Sequence, residues 1–250
     1  MNRALPALVA AVLPMAAARV SAQSLADRIA AVRDGVVHMS FASRPDVCSD
    51  ATGSIWTTRG SYIGDGNRVC VHGPVHVILG RADNQTVSVR ARIADRWSAS
   101  SSETDLGDVS SKEAARYLTT LAHSVGGHSG DQAIVAAVFA DDFDPSPDFR
   151  LLVRDENAPM DSRRQALFWL GQSDASTRDL IALYEHLTPF SLREHFTFVL
   201  SQRHDTESVH KLIDIAQHDR DVEIRKRAMF WLGQSRDPRA IKFFRDVLTR

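Results

Sequence analysis

The sequence predicts a mainly α protein: an α-solenoid preceded by a small disulfide-bridged, β-rich module. Three observations carry this. The stretch ALFWLGQS at residues 166–173 recurs as AMFWLGQS at 228–235, 62 residues later. Residues 36–97 consist instead of short β-branched runs broken by Gly, Pro, Asn and Asp, the pattern of strands and turns. The chain has two cysteines, Cys48 and Cys70, and both fall inside that stretch.

The elements follow in order. Residues 1–22 read as a secretory signal peptide. A short positive start ending at Arg3 precedes fifteen uncharged residues, Ala4 to Ala18, and Val20-Ser21-Ala22 supplies a small-residue cleavage pattern. The rival reading is a membrane anchor, but fifteen residues at about 1.5 Å each fall short of a ~30 Å hydrocarbon core. Cleavage leaves no integral membrane segment and implies a periplasmic or secreted location. Loss of Arg3 and Arg19 then leaves 28 basic against 31 acidic residues. Such a balance gives no bias toward nucleic acid or anionic lipid. In an oxidising compartment Cys48 and Cys70 read as a disulfide.

Residues 23–108 form a helix followed by the β module. Ser24 caps a helix whose apolar face is Leu25, Ile29 and Val32, with Gly35 ending it. VHVILGRADNQTVSVRARI reads as a hairpin, two alternating runs around a polar turn. SASSSETDLGD at 98–108 reads as a polar linker, after which strand signals vanish. Residues 109–250 are the helical domain. Ser110-x-x-Glu113 and Ser129-x-x-Gln132 have capping-box spacing, and Ser146-Pro147 opens a further helix.

Three stretches then align: SRRQALFWLGQS from Ser162, LREHFTFVLSQR from Leu192 and IRKRAMFWLGQS from Ile224, offset by 30 and 32 residues. Their second position is Arg163, Arg193 and Arg225. Their seventh is Phe168, Phe198 and Phe230, and their eleventh is Gln172, Gln202 and Gln234. Asp174, Asp205 and Asp237 follow and suit N-caps of the next helices. A period near thirty residues with two helices per unit is the pattern of stacked repeats, because so small a unit buries its apolar face only against a neighbour.

VEIRKRAMFWLGQSRDPRAIKFFRDVL resembles a HEAT repeat of the short type found in phycobilisome lyases. It shares the Val/Ile-Arg start, the Ala-rich helix ending Leu-Gly, the Asp-Pro step and the Arg-Ala-Ile that follows. The resemblance covers about 145–250 well and 110–145 loosely, and leaves out the β module. It implies a HEAT-like α-solenoid serving as a binding scaffold for another protein, and it does not imply lyase chemistry. The middle copy departs from the pattern, with Ser201 for Gly and no Pro after Asp205.

On a helical wheel Ala166, Leu167 and Leu170 share the core face, while Phe168 and Gln172 fall on the far side and Trp169 at the flank. Two readings of this column stand: packing against neighbouring repeats, with Gln bonding a loop carbonyl, or an aromatic and amide ladder that binds a partner. The candidate protein-binding residues are therefore Phe168, Gln172, Phe198, Gln202, Phe230 and Gln234, with Trp169 and Trp231. The Arg column reads as structural, with Asp161 and Asp221 as available partners. No catalytic motif, metal site or cofactor is expected. Asp141, Asp142, Asp144 and Asp148 lack EF-hand spacing. Two other hypotheses are a metal-dependent binder or hydrolase at the β/α junction, using His72, His76, His123 and His128, and a structural oligomer formed through the C-terminal end.

Overall fold

A computed structural model of the protein describes residues 23–50, 55–57, 70–95, 97–98, 100–203 and 205–249. The signal sequence expected at 1–22 lies outside them. The described residues form a mixed α and β structure, which corrects the prediction of a mainly α, HEAT-like α-solenoid behind a small β-rich module. Ten helices accompany a four-stranded mixed sheet, and one hydrophobic cluster runs through both.

The sheet is built from β1 (Gly35–Phe41), β4 (Val75–Ala82), β5 (Gln85–Ile93) and β6 (Glu103–Asp108), in the order β5-β4-β1-β6. β4 runs antiparallel to β1 and β5, and β6 runs parallel to β1. Strand alternation sends Val37, Met39 and Phe41 of β1, Val75, Val77 and Leu79 of β4, and Val89, Ala91 and Ile93 of β5 to one face, all buried. Each fully buried aliphatic side chain contributes about 1.5–3 kcal/mol, so this face requires an apolar cover. α1 (Leu25–Ala30), α2 (Ser111–Leu121) and α3 (Gly127–Val138) belong to the same core. The first helices of the predicted stack thus serve the sheet, which is why the stack-first reading fails. The β4–β5 hairpin turns through Asp83 and Asn84, both at positive φ (51° and 64°), the geometry of a two-residue type I′ turn.

Two expected capping boxes are used otherwise. Ser110 makes no side-chain cap bond, and Glu113 instead accepts a 2.7 Å hydrogen bond from the Leu25 amide, tying α2 to α1. Ser129 and Gln132 of α3 accept from the Val89 and Ala91 amides of β5, at 3.2 and 3.0 Å. Residues 98–108 are not simply a linker, since they contain β6. Leu106 packs against the core, and the acids of β6 reach β1: Asp108 accepts from Ser40 at 2.5 Å and Asp105 meets His38 at 2.9 Å.

α3 touches both β5 and α5 (Met160–Gln172), and α5, α7 (Phe190–Ser201) and α9 (Val222–Gln234) lie side by side. α4 (Ser146–Arg154) packs on α5, α8 (Thr206–His218) packs on α6 (Thr177–Tyr184), α7 and α9, and α10 (Pro238–Leu248) packs on α8 and α9. Asp205 and Asp237 cap α8 and α10 as expected, whereas α6 is capped by Ser176 rather than Asp174. The Arg column is structural but bypasses Asp161 and Asp221. Arg163 donates to the Val153 carbonyl, Arg225 to the Asp219 carbonyl, and Arg193 forms a buried pair with the Asp219 carboxylate, which Tyr184 also contacts. Desolvation opposes charge at Asp219, yet these donors and the Asp221 amide hold its carboxyl below the usual range.

The two helix-ending glycines differ. A Cβ on Gly171 would stand 2.3 Å from Val199 Cγ1, so glycine lets α5 approach α7; a Cβ on Gly233 would stand 4.0 Å from Phe244. The Cys48–Cys70 bridge forms as expected. It lies outside the four-stranded sheet, where β2 (Val47–Ser49) pairs with β3 (Ile55–Thr57) and Ser49 forms a β-bridge with Val71.

Candidate interaction face

The repeat aromatics meet in one continuous row. Ring centroids stand 5.9 Å apart for Phe139 and Trp169, 5.4 Å for Trp169 and Phe168, and 6.3 Å for the stacked Phe168 and Phe198. The row continues from Phe198 to Trp231 at 5.3 Å and from Trp231 to Phe230 at 4.9 Å. It crosses from the end of α3 over α5 and α7 to α9. Phe168, Trp169, Phe198 and Trp231 are half-buried, and Phe230, at the outer end, is 51% exposed. Packing and exposure therefore grade into each other along the row: the inner rings hold neighbouring helices together and the last ring faces solvent.

The glutamines are exposed at all three positions. Gln202 and Gln234 line, with Trp231 and Arg203, a cleft of about 470 Å³ between the C-terminal ends of α7 and α9. Gln172 stands apart from it. Arg203 holds the α5–α6 loop, its guanidinium donating to the carbonyls of Gly171 at 3.0 Å, Ser173 at 3.3 Å and Ala175 at 2.9 Å. The exposed Gln202 amide donates to Ser201 Oγ at 3.2 Å.

Sequence reasoning missed His195, the fourth residue of the middle copy, where the other copies place Gln165 and Arg227. Its ring lies 5.6 Å from Phe198, and its Nε2 is buried without a hydrogen-bond partner among the described residues, as is Trp169 Nε1. Burial, assisted by the nearby Arg164 charge, pushes the His195 pKa down to about 4, against the pull of a hydrogen bond to the Arg164 carbonyl.

A second cluster occupies the other face of the sheet. His38 Nδ1 meets Asp105 at 2.9 Å, His38 Nε2 meets His76 Nδ1 at 3.0 Å, and His76 Nε2 meets the Ala94 carbonyl at 3.2 Å. Trp97 stacks on both rings, at 4.5 and 5.3 Å. The ends of this chain only accept: Asp105 is held ionised by the Gly107 amide and His38, and a carbonyl has no proton to give. Burial lowers the His76 pKa, against a bond to Ala94 that raises it. Ser40, on the same face, donates to Asp108. Among the described residues no serine or threonine hydroxyl is hydrogen-bonded to a histidine, so this cluster is not arranged as a nucleophile with its base. The signal in the sequence is the alternation that sets His38 and His76 opposite the apolar face of adjacent strands.

The histidines expected to converge at the β/α junction do not. His72 lines a cleft of about 880 Å³ at the end of the sheet, bounded by Phe41, Arg44, Pro74, Asp108 and Ser111. His76 sits under Trp97, His123 pairs with Asp155 at 2.6 Å, and His128 begins α3.

The helix pair α9–α10 decides the comparison with known proteins. Residues 224–249 match the PBS lyase HEAT-like repeat. The chain therefore contains HEAT-type repeat sequence at its C-terminal helix pair. No curated protein matches the chain, and no solved structure does. No described helix is long and apolar enough to cross a membrane. HEAT-like repeats suggest a protein-interaction scaffold, and the HEAT-like pair carries the exposed end of the aromatic row.

Proposed function

We propose that the protein is an exported, non-enzymatic scaffold that binds another protein through the α5–α7–α9 face. The observation that carries this is the aromatic row of Trp169, Phe168, Phe198, Trp231 and Phe230, rising from half-buried to exposed beside the outward amides of Gln202 and Gln234. Aromatic anchors rimmed by polar groups concentrate binding energy, because a partner dehydrates large apolar rings while the rim keeps its hydrogen bonds. The rim also carries charge: Arg227 pairs with Glu194 at 2.7 Å, and Arg164 stands beside His195. Export is supported by the leader-like pattern of residues 1–22 and by the Cys48–Cys70 bridge.

The test is affinity capture from cell-envelope extracts with wild type, Phe230→Ala, and Phe168→Ala combined with Phe230→Ala. Phe230 is exposed, so its truncation leaves the thermal midpoint within a degree or two of wild type, about 0.5 kcal/mol or less. The reading expects folded Phe230→Ala to lose at least tenfold in partner recovery. Full recovery of every partner by both folded variants would refute it.

A further inference from the structure

We propose that Cys48, Cys70 and His72 form a redox-gated binding site for a thiophilic divalent cation, closed while the disulfide stands and opened by reduction. The donors are already assembled: one ligating atom from each of the three residues lies within 4.8 Å of the others. His72 Nε2 is 3.2 Å from Cys70 Sγ, close to the separation of about 3.3–3.8 Å between neighbouring ligands on a tetrahedral zinc ion.

The histidine is also aimed. Its Nδ1 hydrogen-bonds the Val47 carbonyl at 3.1 Å. Donation from Nδ1 fixes the tautomer and leaves the Nε2 lone pair facing the sulfurs, the arrangement in which a metal-binding imidazole is oriented by a backbone acceptor. The frame does not depend on the covalent bond. Ser49 N–H donates to Val71 O at 3.0 Å and Val71 N–H to Ser49 O at 2.9 Å, so the residues next to Cys48 and Cys70 remain paired when the bridge opens. Antiparallel register around that bridge sets Cys48 opposite His72, with Cys70 two residues away on the same face. Cys48 is buried, Cys70 is half-exposed and His72 is exposed on the wall of the 880 Å³ cleft, so an ion reaches the site from the cleft.

The chemistry balances. A dithiol reductant gives two electrons to the bridge, the S–S bond breaks, the reductant closes to its own disulfide, and its two protons end on Cys48 and Cys70. The cation displaces both protons and takes two thiolates and the imidazole lone pair, keeping a fourth position for water.

The full chain, reduced with a dithiol and desalted without oxygen, is titrated with zinc against a chromogenic chelator. Cobalt(II) serves as a second probe, reporting thiolate ligation by charge-transfer absorption. The proposal expects one zinc per reduced chain and none per oxidised chain. It expects affinity at least tenfold weaker in reduced His72→Ala, and no thiolate–cobalt band in Cys70→Ser. Equal zinc uptake by oxidised and reduced protein, unchanged affinity in His72→Ala, or no uptake would overturn it. So would collapse of the far-ultraviolet circular dichroism on reduction, because the site requires the Ser49–Val71 pairing to survive.

Discussion

The His195 ring gives a direct link between the aromatic row and stability. It is held neutral against Phe198, with Nε2 buried and unpartnered among the described residues, and its pKa is pushed down to about 4 by burial and then by Arg164. The unfolded chain protonates near its ordinary 6.5, the folded chain only near 4, so protons bind preferentially to the unfolded state in between. The contribution is therefore complete above pH 6.5 and is lost as pH falls toward 4. A fall from 6.5 to about 4, at ~1.36 kcal/mol per tenfold in proton affinity, sets a ceiling of about 3.4 kcal/mol. Partial exposure of the ring reduces this to roughly 1–2 kcal/mol through solvent screening. The perturbation is His195→Phe, which keeps an aromatic ring beside Phe198 and removes the titration. Urea unfolding of both proteins from about pH 7.5 to about pH 4.5 supplies the measurement, with the free-energy difference read at each pH. Wild type should lose roughly 1–2 kcal/mol more than the variant across that range. Parallel curves would refute the assignment. Carboxylates titrate alike in both proteins and so cancel in the difference between the two curves.

Other outcomes follow from the packing. Gly171→Ala forces a methyl into Val199 and should cost about 1–3 kcal/mol, while Gly233→Ala, which lacks that clash, should stabilise by up to about 1 kcal/mol; paired thermal melts decide this. Arg193→Met leaves the Asp219 carboxylate buried without its guanidinium and should lower stability by about 3–5 kcal/mol in urea titration. Asp205 is kept at about 2 despite burial, because Thr177, the Ser208 amide and hydroxyl, and Arg203 donate to it. Its stabilisation is present above its ordinary 3.8 and disappears as pH falls through about 2; at neutral pH Asp205→Ala should cost about 1–2 kcal/mol by circular-dichroism melting.

Much of the helical part was legible because its determinants are local. The recurring Phe-to-Gln spacing, the capping Asp205 and Asp237, and the Asp-Pro step each report on a few consecutive residues, and each is found where the spacing puts it. The hairpin was legible for the same reason, through the Asp83-Asn84 turn. Long-range pairing was not. β6 has few apolar residues, and its strand character comes from pairing with β1. Ser129 and Gln132 have capping-box spacing, but the β5 amides they meet lie about forty residues away in sequence. At the candidate face the aromatic column could be read from periodicity, whereas His195 and Arg203 could not. Both stand at positions that the copies do not share, and their roles depend on Phe198, Arg164 and the loop at 171–175.

The two outer margins of the sheet are protected by different means. Along β5, amides that would otherwise point outward already donate to Ser129 and Gln132, so a foreign strand finds two of its anchor points occupied. Along β6, Glu103, Asp105 and Asp108 place a line of negative charge where an incoming chain would align, and such charge discourages edge-to-edge polymerisation. One margin is thus sealed by saturation and the other by repulsion. Neutralising the acids should expose the β6 side to fibrillar assembly before the β5 side.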